Sequence, residues 1–236
     1  MIQFRYAILS FFLLFLVGCT DCIRGEGEQI VQKRSVENYD VIFISGSFDV
    51  VVKQTNGINT IEVNAQENLM PYLLTNVHNK RLEITASECL QSSESILIEV
   101  STSGIVKLIN EGSGDVNGLG ALKGEELKIV NDGSGNVHLK FKGEELTVLN
   151  DGSGDITCTG EVNELTIELE GSGDVNMIDL KALIAKVQSD GSGKVSFYAK
   201  DEIDVELNGS GDVDYKGNPE NSAKEVSGSG SIRNID

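Results

Sequence analysis

The chain has 236 residues, 39% of them hydrophobic and 24% charged, with 26 Gly, 2 Pro and no Trp. This composition supplies a core for one large or two modest domains, and many glycines with few aromatics suit repetitive β structure with tight corners. A formal net charge of −18 repels nucleic acid and anionic headgroups, which argues against phosphate-backbone binding and leaves cations or basic partners.

Residues 1–18 carry one charge, Arg5, ahead of an apolar run from Tyr6 to Val17. The run is too short for a spanning helix and has the length of a secretory h-region. It ends in Leu16-Val17-Gly18-Cys19, which resembles the lipobox of bacterial lipoproteins. The resemblance implies that residues 1–18 are a signal peptide and that Cys19 is acylated, palmitate included, giving an N-terminal membrane anchor. Thr20 is not the Asp that resembles an inner-membrane retention signal, so the outer membrane is expected, with either leaflet open. Residues 19–34 are polar, with Gly25-Glu26-Gly27-Glu28, and read as a flexible tether. Beyond Cys19, Cys22 and Cys89 either bridge or remain apart, and Cys158 falls in an inward column described below. No Cys/His spacing suggests zinc.

Residues 35–100 read as an irregular N-terminal β cap. Val41 and Phe43, then Val50 and Val52, alternate as paired strands around Gly46-Ser47-Phe48-Asp49-Val50. Ile61, Val63 and Ala65, then Leu82 and Ile84, then Ile96, Ile98 and Val100 continue the pattern. Glu67 to Leu74 reads as one or two helical turns limited by Pro71.

From residue 101 to 236 a Gly-Ser-Gly triplet begins at Gly112, Gly133, Gly152, Gly171, Gly191, Gly209 and Gly228, at steps of 21, 19, 19, 20, 18 and 19 residues. A period near twenty indicates a solenoid in which each coil stacks on the last. Residues 35–236 are thus expected to form one continuous domain: all-β, a right-handed parallel β-helix of about seven coils, about 34 Å long at the spacing of paired strands. Counted from each triplet, apolar residues recur four before it (Leu108, Ile129, Val148, Ile167) and four after it (Val116, Val137, Ile156, Val175). Six after stand Leu139, Cys158, Met177, Phe197 and Tyr215. Polar residues lie between, His138 among them, so each coil has at least two strands with one dry face. Glycine at the corner is expected either for positive φ or for close backbone approach.

Three rows break the simple pattern. Asn110, Asn131 and Asn150 point inward and are expected to form an amide ladder, the alternative being a polar ligand site. Ile109, Val130 and Leu149 make an outward apolar stripe, which either the cap covers or a partner binds. Asp115, Asp155, Asp174 and Asp212 follow the corners in a carboxylate row, interrupted by Asn136 and Lys194. Such carboxylates either accept from corner N–H groups or hold a hard cation such as Ca²⁺.

The Gly46–Val50 echo, the Glu67–Tyr72 stretch and the serial G-S-G-D-V corners together resemble the DUF2807 family, the auto-transporter adhesin "head GIN domain". The resemblance covers about residues 38–232 and implies a secreted or lipid-anchored β-helical protein, with no catalytic residues to carry over. The function expected is a lipid-anchored envelope scaffold for binding or adhesion, with a glycan or protein ligand and no catalysis. The alternatives are a pectate-lyase-like polysaccharide enzyme, or a purely structural envelope lipoprotein. A lyase of that kind needs a strong base beside acidic Ca²⁺ ligands. Here no Arg lies between Arg81 and Arg233, and the carboxylates repeat in register instead of converging once.

Overall fold

The computed structural model describes residues 22–57 and 59–236. The stretch read as a signal peptide and the expected acylation site Cys19 lie outside the described residues. The rest is a β-solenoid of stacked coils with one shared core. The corners line up in a single file. From Ser113 to Ser229, each corner Ser N–H donates to the first-glycine carbonyl of the preceding corner at 3.0–3.1 Å. The strand before each corner pairs parallel and in register with its neighbours, as in Glu126–Asn131 with Glu145–Asn150. The strand after each corner does the same, as in Val137–Lys142 with the start of Ile156–Leu169.

The middle coils have a third side. Ile156–Leu169, Val175–Ser189 and Val195–Leu207 are near-continuous strands that bend partway, and Phe141, Leu180, Ala182 and Ala199 fill the third inner face. The expected inward columns are buried: Leu108, Ile129, Val148 and Ile167 are 0% exposed, as are Val116, Val137 and Ile156. Cys158 sits among them as a free thiol, pushed up to about 12 by burial. Val106 stands six before its triplet, where later coils place the buried Leu127, Leu146 and Leu165, and departs from them. It is 41% exposed, and Ile105 takes the inward place where the chain enters the first repeat.

The corner glycines are selected by contact. The positive-φ glycines among the described residues are Gly27, Gly120, Gly160 and Gly217, none of them in a corner. A Cβ on Gly152 would lie 2.0 Å from the Gly133 carbonyl oxygen, and one on Gly154 would lie 2.0 Å from the Gly135 oxygen. Each Gly therefore lets one coil rest on the backbone of the last. Phe48 occupies the equivalent of the second glycine in the Gly46 corner. Below it the chain turns through the wider 87–96 segment, so its ring has room and is only 2% exposed.

The cap is built by detour. Val41–Ser45 and Asp49–Gln54 form the coil directly beneath the first G-S-G repeat, paired with Lys107–Asn110 and Val116–Gly118. On the other side of that coil lie Arg81–Ala86 and Leu97–Thr102, also parallel. Leu73–His78 and Thr60–Gln66 then add antiparallel to these two strands, with the 3₁₀ helix Glu67–Tyr72 joining them. Reversal of direction ends the parallel stack. Gln29–Ser35 pairs antiparallel on Thr60–Gln66 as the outermost strand. This corrects the reading of residues 19–34 as a flexible tether. Residues 22–34 belong to the cap: Cys22 is disulfide-bonded to Cys89, and Ile23–Arg24 pairs with Leu90–Gln91. Polarity there reflects an edge strand most of whose residues are exposed, and the Arg34 guanidinium donates to the Leu73 and Met70 carbonyls at 2.7 and 3.3 Å.

The inward asparagines form the expected ladder. Asn110, Asn131 and Asn150 are all 0% exposed. Asn110 Nδ2 donates to Asn131 Oδ1 at 3.0 Å, and Asn131 Nδ2 to Asn150 Oδ1 at 3.3 Å. Asn150 Nδ2 closes the run on the Gly154 and Gly173 carbonyls at 3.0 and 3.2 Å. Every amide is spent inside the core, so the row is structural.

The C-terminal end is closed with charge. Asn221–Val226 is exposed throughout, and its inward Lys224 sets its ammonium 4.5 Å from the centre of the Tyr215 ring. Next to it, buried Asp214 accepts from Lys194 Nζ at 2.6 Å and Arg233 Nε at 2.8 Å, while Arg233 Nη2 reaches Asp212 at 2.9 Å. Arg233, then Lys194, hold the Asp214 carboxyl below its usual range.

Three outcomes are expected. Gly152→Val forces neighbouring coils apart and costs about 3 kcal/mol, read as a lowered thermal midpoint. Asn131→Ala strands its buried partners and costs about 2 kcal/mol in denaturant unfolding. Because the folded pKa of Asp214 is depressed, its contribution is present at neutral pH and lost only as pH falls below about 3.9, the unfolded value. Asp214→Asn therefore melts lower than the parent at pH 7, and the gap closes in acid.

Candidate functional site

The solenoid offers flat faces, and the two candidate rows lie on different parts of them. The carboxylate row after the corners is a second ladder. Asp49 Oδ1 accepts from Asp115 N at 2.9 Å, and Asp115 Oδ1 from Asn136 N at 2.9 Å. Asn136 Oδ1 accepts from Asp155 N at 2.9 Å, Asp155 Oδ1 from Asp174 N at 2.8 Å, and Asp174 Oδ1 from Lys194 N at 2.8 Å. Each side chain thus satisfies the N–H of the equivalent residue one coil on. Lys194 breaks the row because an ammonium accepts no hydrogen bond, and its charge goes to Asp214 instead. Asp212 resumes it by accepting from the Ser231 backbone and hydroxyl at 3.0 and 2.9 Å, which with Arg233 holds its carboxyl low.

The structure brings Asp115, Asp155, Asp174 and Asp212 into one file without making them converge. Among the described residues no three His, Cys, Asp or Glu side chains group as a metal site. Asn136 takes the place of an Asp because an amide oxygen accepts the same N–H. The serine hydroxyls of the corner contribute less than the backbone; Ser113 Oγ donates to Ser47 Oγ at 3.1 Å.

Ile109, Val130 and Leu149 lie side by side on the outer face of the strand before the corner, with Phe43 of the cap coil continuing the row. The expectation that residues 35–100 fold over this stripe is overturned. That segment stacks end-on, because its strands extend the same ladders, and all four side chains are left partly exposed. Two further rows flank the stripe. On one side run Arg81, Val41, Lys107 and Lys128. On the other, next to the corner, run Glu111, Asp132 and Asp151. Desolvation, then the neighbouring Asp151, raise the Asp132 carboxyl, with Lys107 opposing. The Arg81 guanidinium lies 4.0 Å from the Phe43 ring centre.

Further up the same face the stripe turns polar at Glu168, Gln188 and Glu206. The basic row and Phe43 were missed in the sequence reading, although Lys107 and Lys128 recur at the repeat spacing. Arg81 and Phe43 join them only through the cap's detour. A groove of about 350 Å³ opens beside the stripe between Val41, Val106, Lys107, Leu127 and Thr147. His138 is exposed on the other strand and touches none of this.

Among the described residues no helix is long and apolar enough to cross a membrane. No match was found among curated proteins. Solved structures are similar in fold. A "putative adhesin" from Bacteroides fragilis superposes with a TM-score of 0.86 at 22% identity, covering 90% of this chain and all of that one. One from Parabacteroides merdae gives 0.72 at 19% identity over 92% of this chain and all of that one. A "putative lipid binding protein" from Parabacteroides distasonis gives 0.73 at 26% identity over 90% of this chain and all of that one. The family model described as "Putative auto-transporter adhesin, head GIN domain", DUF2807, matches residues 38–219, most of the solenoid with its cap, and the chain belongs to that family.

Proposed function

We propose that the protein is a lipid-anchored scaffold of the cell envelope, held at the outer membrane through Cys19, that binds a glycan or protein ligand without catalysis. The observation that carries this reading is the unbroken file of corners. It makes a stiff body whose side chains repeat in rows, and a row suits an extended or repetitive partner better than it suits one reacting bond. The membership in an adhesin-like family supports the same reading. The carboxylates that a polysaccharide lyase would present to Ca²⁺ are engaged on backbone N–H groups of the next coil. The Cys22–Cys89 bond sits close after Cys19 in sequence, so a pull on the anchor would reach the cap directly and not peel the edge strand.

The test uses the full chain and its Cys19→Ala variant, expressed in cells fed a palmitate analogue and probed with glycan and matrix-protein arrays, with and without Ca²⁺. The parent is expected to carry the label and confer saturable binding on the cells. The variant is expected to lose the label and the cell-surface binding, while the purified variant still binds the array. An unlabelled parent would remove the anchor. Cleavage of a polymer on the array would replace the scaffold by an enzyme.

A further inference from the structure

We propose that the face carrying the apolar stripe is an interface with a second copy of this chain, the two solenoids lying side by side and pointing the same way. The inference goes beyond the scaffold reading and does not depend on its ligand. Three parallel rows on this face are of three kinds: basic on one side, apolar in the middle, acidic on the other. Neighbouring outward rows lie about 7 Å apart, two residues along a strand. A two-fold axis running along the apolar row lays that row on itself. The same rotation carries the basic row of each copy over the acidic row of the other, so Lys128 of one copy faces the Asp132 side of its partner, and the reverse. An axis along the strands would instead set Lys on Lys and Asp on Asp. The row chemistry therefore selects one of the two closed arrangements.

The polar end of the face agrees with this. Glu168 and Glu206 would meet their own copies if the two faces lay flush. Twisted sheets pack at about −30°, which keeps contact at the apolar rows and splays the acidic ends into water. The parallel arrangement also places both caps, with Cys22 in each, at the same end. Two chains anchored in one membrane need that geometry.

On or near the axis a single substitution meets its own copy, so Val130→Cys in the full chain, under mild oxidation, is expected to give a disulfide-linked dimer in most of the protein. Asn176→Cys, exposed on the other strand, should remain monomeric. Lys128→Glu is expected to lower the Val130→Cys cross-link at least several-fold, and adding Asp132→Lys to restore it. A melt of each variant checks that the fold is intact. A Val130→Cys protein that is folded but stays monomeric would overturn the proposal. So would an adduct of another mass, which would mean a different protein on this face, or equal cross-linking at Asn176→Cys. The dimer should persist when Cys19→Ala is added, since the rows need no anchor. Its loss there would overturn the inference, whereas failure of palmitate labelling would bear only on the anchor.

Discussion

Backbone resting on backbone at the corner is the constraint from which the rest of this fold follows. A glycine carbonyl of one coil sits where the next coil's Cβ would be, about 2 Å away. Only a residue without a side chain lets two coils close to hydrogen-bonding distance there. Once the corner closes, the strands on either side of it are brought into register, and like residues fall over like residues. The columns, the amide ladder and the carboxylate ladder are consequences of that alignment. The two ladders perform the same task on opposite sides of the chain: Asn110, Asn131 and Asn150 satisfy polar groups inside, and Asp115, Asp155 and Asp174 satisfy the N–H of the next coil outside.

A stack of parallel strands must stop somewhere, and the two ends stop differently. At the N-terminal end the chain reverses direction, so Thr60–Gln66 and Leu73–His78 terminate the parallel ladders, and Gln29–Ser35 follows as an edge with Lys33 and Arg34 on it. Charges on an edge strand oppose addition of a further strand. At the C-terminal end the inward positions become Ser222, Lys224 and Val226. Lys224 lies across the last aromatic ring, and the Lys194–Asp214–Arg233 cluster fixes the final coil to the stack. Both devices place charge where another coil would need apolar surface.

The outer faces carry what variation the repeat allows. The inward residues are held to apolar or amide side chains by the core, whereas an outward row changes character without cost to the stack. This is why one row runs from Phe43 and Ile109 through Leu149 and then turns to Glu168, within a single unbroken sheet. A face of that kind is a property of rows, and no single residue defines it.

The sequence alone determined the solenoid, its inward columns and the amide ladder, because each rests on a period that can be counted. It also left the corner glycine with two explanations, and only the tertiary contact separated them: the glycines have ordinary φ and lie against the preceding carbonyl. The partners of the carboxylates were out of reach for the same reason, since a bond from one coil to the next joins residues about twenty apart. The cap was legible as strands and illegible as an arrangement, because Val41–Gln54 lies between segments that are far from it in sequence. Cys22 with Cys89 and the exposure of Val130 both followed from where that detour placed the chain. Periodicity reports which residues repeat; which surfaces the non-repeating part covers or leaves open is set by how it packs.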